Sequence, residues 1–162
     1  MRKRLTTAAT CLALVAVVAL ARTVDVDYRN ATFRIDKEDV KLSNGARAVQ
    51  AAPGSATQHV THVFGQPVRS RVDSKPAVAV FLADQLGGSG IFNYVAVAFS
   101  DCSKTNAVFL GDRIRPRSIV FHGHSIVVTY LDRKSGEPMA ATPKVTKSVT
   151  LRFDSRTCQL EE

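Results

Sequence analysis

Ala77-Val-Ala-Val-Phe-Leu82 and Ile91-Phe-Asn-Tyr-Val-Ala-Val-Ala-Phe99 set the architecture. The first run is apolar at every position and too short for an ordinary helix. It reads as a strand covered on both faces. The second is the longest strand candidate in the chain, and Asp84 to Gly90 turns the chain between them. Working outward, Asn106 to Leu110 and Ile114 to Arg117 flank Gly111-Asp112. Ser118 to Phe121 and Ser125 to Leu131 flank the short turn His122-Gly123-His124. Lys134 to Pro143 is a polar loop, and Ser148 to Phe153 places Val149, Leu151 and Phe153 on one face. Toward the N-terminus, Ala31 to Ile35 alternates, Asp36 to Asp39 turns, and Val40 to Leu42 returns. Ser43-Asn44-Gly45 is a turn signal. Residues 46–58 read as a loop. His59 to Phe64 alternates, with Pro67 to Val72 as a separate edge partner.

No stretch of about fifteen residues carries helical periodicity. About nine to eleven short strands at hairpin spacing predict an all-β, mainly antiparallel fold, a single-domain β-sandwich or open barrel. Neither an internal repeat of solenoid length nor a low-complexity segment occurs. The expected organisation is a signal peptide over 1–21, an N-terminal β-hairpin region and loop over 22–52, and a core β domain over 53–162.

The signal-peptide reading rests on three parts in order. Arg2, Lys3 and Arg4 open the chain, an uncharged apolar run extends from Cys11 to Ala21, and Ala19-Leu20-Ala21 is a small-x-small cleavage site. The run is about half the length needed to span a bilayer. Cleavage near Ala21 would leave a protein in the periplasm or secreted, with no stable membrane span. Cys11 lies before the apolar run, the wrong place for a lipid-modification site.

The 162-residue chain has a formal net charge of +8, with 22 Lys+Arg against 14 Asp+Glu. Residues 1–21 hold three of those basic side chains and no acidic one, so +5 remains beyond them. That surplus favours an anionic envelope component as partner, or another periplasmic protein, without demanding either. Nucleic acid is not an expected partner, because no block of like charge or nucleic-acid motif appears.

Cys102 and Cys158 are the two cysteines beyond residue 21. An even count in an exported chain predicts a disulfide. Closing its loop of 57 residues would stabilise the domain by roughly 4 kcal/mol. Without Cys-x-x-Cys, free thiols for redox or metal work are the weaker reading.

Between about Pro53 and Phe153 four pieces stand in order: Gly87-Gly-Ser-Gly-Ile-Phe-Asn-Tyr94, Asn106-Ala-Val-Phe-Leu-Gly-Asp-Arg-Ile114, Ile126-Val-Val-Thr-Tyr-Leu-Asp-Arg133 and Gly136-Glu-Pro-Met139. In these the chain resembles a family of small exported bacterial proteins of unknown function. The resemblance implies a periplasmic or secreted β-rich domain and no particular activity. Relatives often carry an Asp/Asn/Gly-rich, calcium-type loop before the first central strand. Here Arg69-Ser-Arg-Val-Asp-Ser-Lys-Pro76 keeps only Asp73 as a carboxylate, beside three basic residues, and does not suit a hard cation.

Several constellations invite a chemical reading. His59-Val-Thr-His62 has helical spacing in an extended segment, so its rings point to opposite faces. His122 and His124 could share a side, but no third and fourth ligand for zinc follows nearby. No metal and no cofactor is expected. Gly87-Gly-Ser-Gly90 leads into a strand and lacks a Gly-Lys-Ser/Thr ending, unlike a phosphate loop. Ser89 has no nucleophile elbow around it, and no Ser-x-x-Lys occurs. Two Asp-Arg pairs, Asp112-Arg113 and Asp132-Arg133, stand at strand ends. If Ile114 and Tyr130 lie on adjacent strands, the pairs meet at one end of the sheet. There they could form an anion or sugar site with arginine forks. The competing reading has the aspartates closing turns and the arginines in solvent. Arg113, Arg115 and Arg117 form a basic stripe that would equally protect an edge strand.

The favoured reading is an exported envelope protein that binds a partner or ligand without catalysis, using Asp112, Arg113, Asp132 and Arg133. No catalytic residue is assigned. A structural or stress-buffering periplasmic domain is one alternative. Another is a small hydrolase drawing on Asp84, Asp112, Asp132 and His122 or His124.

Overall fold

The computed structural model describes residues 25–162, so the expected signal peptide lies outside the described residues. A single 3-10 turn, Tyr28–Asn30, precedes eleven strands. These are β1 (Thr32–Ile35), β2 (Glu38–Lys41), β3 (Ala46–Gln50), β4 (Gln58–Val72), β5 (Lys75–Gln85) and β6 (Phe92–Phe99). They continue with β7 (Thr105–Asp112), β8 (Arg115–His122), β9 (Ser125–Asp132), β10 (Val145–Asp154) and β11 (Gln159–Glu161). The described residues include no α-helix.

The strands form two sheets. One has seven strands in the order β2-β1-β7-β6-β5-β4-β3 and curls until it is nearly closed into a barrel. The other has four strands in the order β11-β10-β9-β8. All pairings are antiparallel except β1 with β7, which meet in parallel at Phe33–Thr105 and Arg34–Asn106. Sandwich and open barrel are thus combined: the curled sheet presents its outer wall to the smaller sheet.

The shared wall explains the unbroken apolar run. On β5 and β6, Ala77, Ala79, Phe81, Val95 and Val97 face outward onto Ile126, Val128, Leu151 and Phe153 of the smaller sheet. Val78, Val80, Leu82, Tyr94 and Ala96 face inward, where Phe33, Ile35, Val40 and Leu42 of the β1–β2 hairpin cover them. A strand buried on both sides has no polar face to alternate with.

Three sequence expectations need correction. Ile114 to Arg117 and Ser118 to Phe121 are not two strands but one, β8, whose register against β9 shifts between Pro116 and Ser118. Residues 46–50 are not loop: β3 pairs with β4 from Ala46–His62 to Gln50–Gln58. As a sheet edge it buries no residue fully, which leaves its sequence with little apolar signature. Nor are His59–Phe64 and Pro67–Val72 separate strands. They are one strand whose register against β5 shifts between Phe64 and Val68. Gly65 takes up the bend with φ of +69°. A bulge bends a strand without ending it, and here it helps the sheet curl.

The disulfide is present. Cys102 in the β6–β7 loop joins Cys158 in the β10–β11 turn, with Cα atoms 6.0 Å apart. Close by, the Asn106 side chain donates to the Leu160 carbonyl at 2.9 Å and accepts from the Leu160 amide at 2.6 Å. Covalent bond and amide together tie the last strand of the small sheet to the wall of the curled one. No helix of the described residues is long and apolar enough to cross a membrane.

Candidate functional site

At one mouth of the curled sheet the inward face changes from apolar to polar. Arg47 of β3 stands opposite Thr61 of β4, Thr61 opposite Asp84 of β5, and Asp84 opposite Phe92 of β6. Residues opposite one another share a face, so this row crosses the sheet on its inner side. His59, two residues before Thr61, points the same way.

Asp84 is the centre of the row. It is 4% exposed and Thr61 is 1% exposed. Thr61 Oγ1 donates to Asp84 Oδ1 at 2.6 Å, and His59 Nε2 meets the same oxygen at 2.7 Å. A carboxylate only accepts, so Nε2 is the donor in this contact. Both donors converge on Oδ1, which leaves Oδ2 over. Burying a carboxylate costs several kcal/mol unless such partners compensate it. The Thr61 proton goes to Asp84 and not to His59, so Thr61 is not placed as a nucleophile on the imidazole.

The β1–β2 hairpin supplies the opposite lip. Asp36 Oδ2 accepts from the Tyr94 hydroxyl at 3.3 Å. Burial, and then the negative charges of Asp36 and Asp84, hold that phenol well above its ordinary pKa. Glu38 Oε1 pairs with Arg47 Nη2 at 2.7 Å, while Arg47 Nη1 is buried with no partner among the described residues. Between the lips lies a cleft of about 340 Å³, lined by Ile35, Asp36, Glu38, His59, Asp84 and Leu86 among others. Beside it Phe109 is 50% exposed, its ring centroid 5.3 Å from that of Tyr94 and 6.4 Å from that of Phe92. Carboxylate oxygens, an imidazole and an apolar wall offer a small ligand both polar anchors and contact area.

The two Asp-Arg pairs do meet, around the β7–β8 turn. Arg133 is 9% exposed, and its guanidinium donates to the carbonyls of Asp112 at 2.5 Å and Arg113 at 3.3 Å. Asp112 Oδ1 accepts from the Ile91 amide at 2.8 Å and from Arg113 Nε at 3.3 Å. Asp132 caps the Arg133 amide at 2.7 Å and pairs with Lys147 at 2.6 Å. The Lys147 ammonium is the main reason its carboxyl lies below the usual range. These contacts bind the turn to the end of β9. Arg133 in particular has its fork directed at the main chain.

Of the histidines, His124 approaches Asp73 at 3.1 Å on the surface, and His62 lies three residues beyond His59 on β4, its ring tilted against Phe64. Among the described residues no three His, Cys, Asp or Glu side chains gather as a metal site. Asp73 and Ser74 make the β4–β5 turn, both with positive φ. Asp84 stands among the residues singled out from sequence; His59, Thr61, Tyr94 and Asp36 as its companions do not. One signal was there. Val78, Val80 and Leu82 face inward, and the period of two carries the same face to Asp84.

No family model, curated protein or solved structure matches this chain.

Proposed function

We propose that this is an exported, non-enzymatic binding domain of the cell envelope, and that its ligand enters the cleft beside His59, Thr61 and Asp84. One observation carries the reading. A buried carboxylate, fixed through a single oxygen by two donors, lies at the floor of an open cleft and not within a sealed core. Such a group is costly to the fold, and binding is the use that its position fits. The exposed Phe109 ledge adds contact area at the same mouth. Export is supported by the basic-apolar-small order of residues 1–21, by the disulfide, and by the resemblance to small exported bacterial proteins. In the Asp112, Arg113, Asp132 and Arg133 cluster the Arg133 fork is engaged with main-chain carbonyls and Asp132 with Lys147, so the cleft is preferred to that cluster as the ligand site.

The test is an amide NMR titration of the protein lacking residues 1–21 with the small-molecule fraction of an envelope extract. Shifts concentrated on Asp36, His59, Thr61 and Asp84, and absent in His59→Gln, are expected. Shifts that persist in His59→Gln, or that centre on Arg113 and Arg133, would move the site elsewhere and overturn the reading.

A further inference from the structure

We infer that the opposite end of the curled sheet holds a second, separate site, for a small zwitterion bearing one ammonium and one carboxylate. It does not depend on the site around Asp84.

The starting point is Thr105, the first residue of β7. It is 2% exposed, and its Oγ1 is buried without a hydrogen-bond partner among the described residues. Buried hydroxyls in native proteins nearly always have a partner, and leaving one unmade is destabilising. Thr105 lines a cleft of about 270 Å³ between the Asp25–Ala31 segment, the β1–β2 hairpin and the β6–β7 loop. That is near the small end of ligand-site volumes.

The charges around this cleft are of both signs and stand apart. The Lys41 ammonium donates to the Asn30 carbonyl. Asp27 Oδ2 accepts from Asn30 Nδ2 at 2.7 Å. A cation and an anion are thus each held by the same neutral residue, and neither is neutralised by it. Around the rim, Lys104 shares Asp39 with Arg34, so one carboxylate serves two cations there. Asp25 pairs only loosely with Arg69, at 3.4 Å.

This arrangement discriminates. A simple anion drawn to Lys41 and Lys104 meets Asp27, and a simple cation drawn to Asp27 meets Lys41. A ligand with both charges satisfies both and is repelled by neither. The hydroxyls of Ser100 and Ser103 on the same cleft can donate to its carboxylate, and a side-chain rotation of Thr105 would bring its buried hydroxyl to the same group. The site is also held in shape before anything binds. Cys102 is bonded to Cys158, Asp101 is paired with Lys75, and Lys104 is paired with Asp39 at 2.6 Å. A loop fixed in this way loses little freedom on binding.

Glycine and its two halves, acetate and methylammonium, test this directly. Each is titrated into the protein lacking residues 1–21, and the amides of Ser103, Lys104 and Thr105 are followed by NMR. Glycine is expected to half-saturate those shifts at a concentration at least about tenfold below either half-ligand. Lys41→Gln and Asp27→Asn, both surface changes, should each weaken glycine by about fivefold or more. Thr105→Val should weaken glycine too, while raising the melting temperature by removing the orphan hydroxyl. If acetate matches glycine, the site is a plain anion hole and the proposal fails. It also fails if glycine leaves these amides unmoved, whatever Thr105→Val does to stability. Neither failure touches the Asp84 cleft, whose amides lie at the other end of the sheet.

Discussion

Asp84 is polar at a position where the pattern of β5 calls for another core residue, and its neighbours compensate for it. Substitution by Ala strips the acceptor from Thr61 and His59 together. A loss of roughly 1–3 kcal/mol in urea unfolding is expected. Thr61→Val should cost less, and the double variant less than the sum, because both changes act on one hydrogen bond. An additive pair would mean that Thr61 and Asp84 do not support each other. A second residue-scale expectation concerns acid. The Asp132 carboxyl is held below its usual range, first by Lys147. A depressed folded pKa gives stability that is present above the unfolded value, about 3.9, and lost as pH falls through the folded one. Thermal unfolding below pH 4 should therefore decline less steeply in Lys147→Met than in the native protein. Equal slopes would show that the pair adds nothing. At this scale legibility was mixed. Asp84 could be placed inward from the period of two. His59 could not, because its partner lies 25 residues away on β5 and its nearest histidine suggested a different question. The meeting of Asp112-Arg113 with Asp132-Arg133 follows from the β8–β9 hairpin. That Arg133 would turn to main-chain carbonyls does not follow from any spacing.

Element by element, most strands can be read from alternation and turn residues, and the segments that depart from that reading have a common cause. β3 is an edge strand and shows little apolar face, while β4 contains a Gly-Gln-Pro stretch that looks like an ending and is a bulge. Sequence periodicity reports burial, so elements with little burial or a broken register leave little trace. At the end of β7, Gly111 has φ of +148°, and an added Cβ would lie 2.7 Å from Ile114 Cγ2. Gly111→Ala is expected to destabilise by roughly 1–3 kcal/mol, read by chemical denaturation. An unchanged midpoint would mean that the β7–β8 turn relaxes freely. β8 is the outer strand of the small sheet, with Arg115 and Arg117 exposed, Pro116 between them, and a register shift at that point. Charge, proline and bulge all discourage strand addition. Replacing both arginines by Val should raise self-association, measured by sedimentation, with little change in unfolding. If the variant self-associates no more than the native protein, the stripe has another purpose.

For the molecule as a whole, the sequence left sandwich and open barrel as alternatives, and the fold joins them through one doubly buried wall. The continuous apolar run on β5 held half of that answer. The other half, the β1–β2 hairpin folding over the inner face through a parallel contact with β7, is a long-range pairing without a local signature. The disulfide was legible from cysteine count alone, though not its role in tying the two sheets together. Replacing Cys102 and Cys158 by Ser should lower stability by roughly 2–4 kcal/mol, measured by reversible unfolding. A smaller effect would point to Asn106 and the Leu160 packing as the main tie.

An exported binder that uses the Asp84 cleft is tested most directly by native mass spectrometry of the protein taken unreduced from its own cells, beside a His59→Gln variant. The expected spectrum shows a chain starting near Arg22, two hydrogens lighter than its reduced form. It carries a small added mass that the variant lacks. A chain starting at Met1 with free thiols would contradict export, and a native protein as bare as its variant would contradict binding at the cleft.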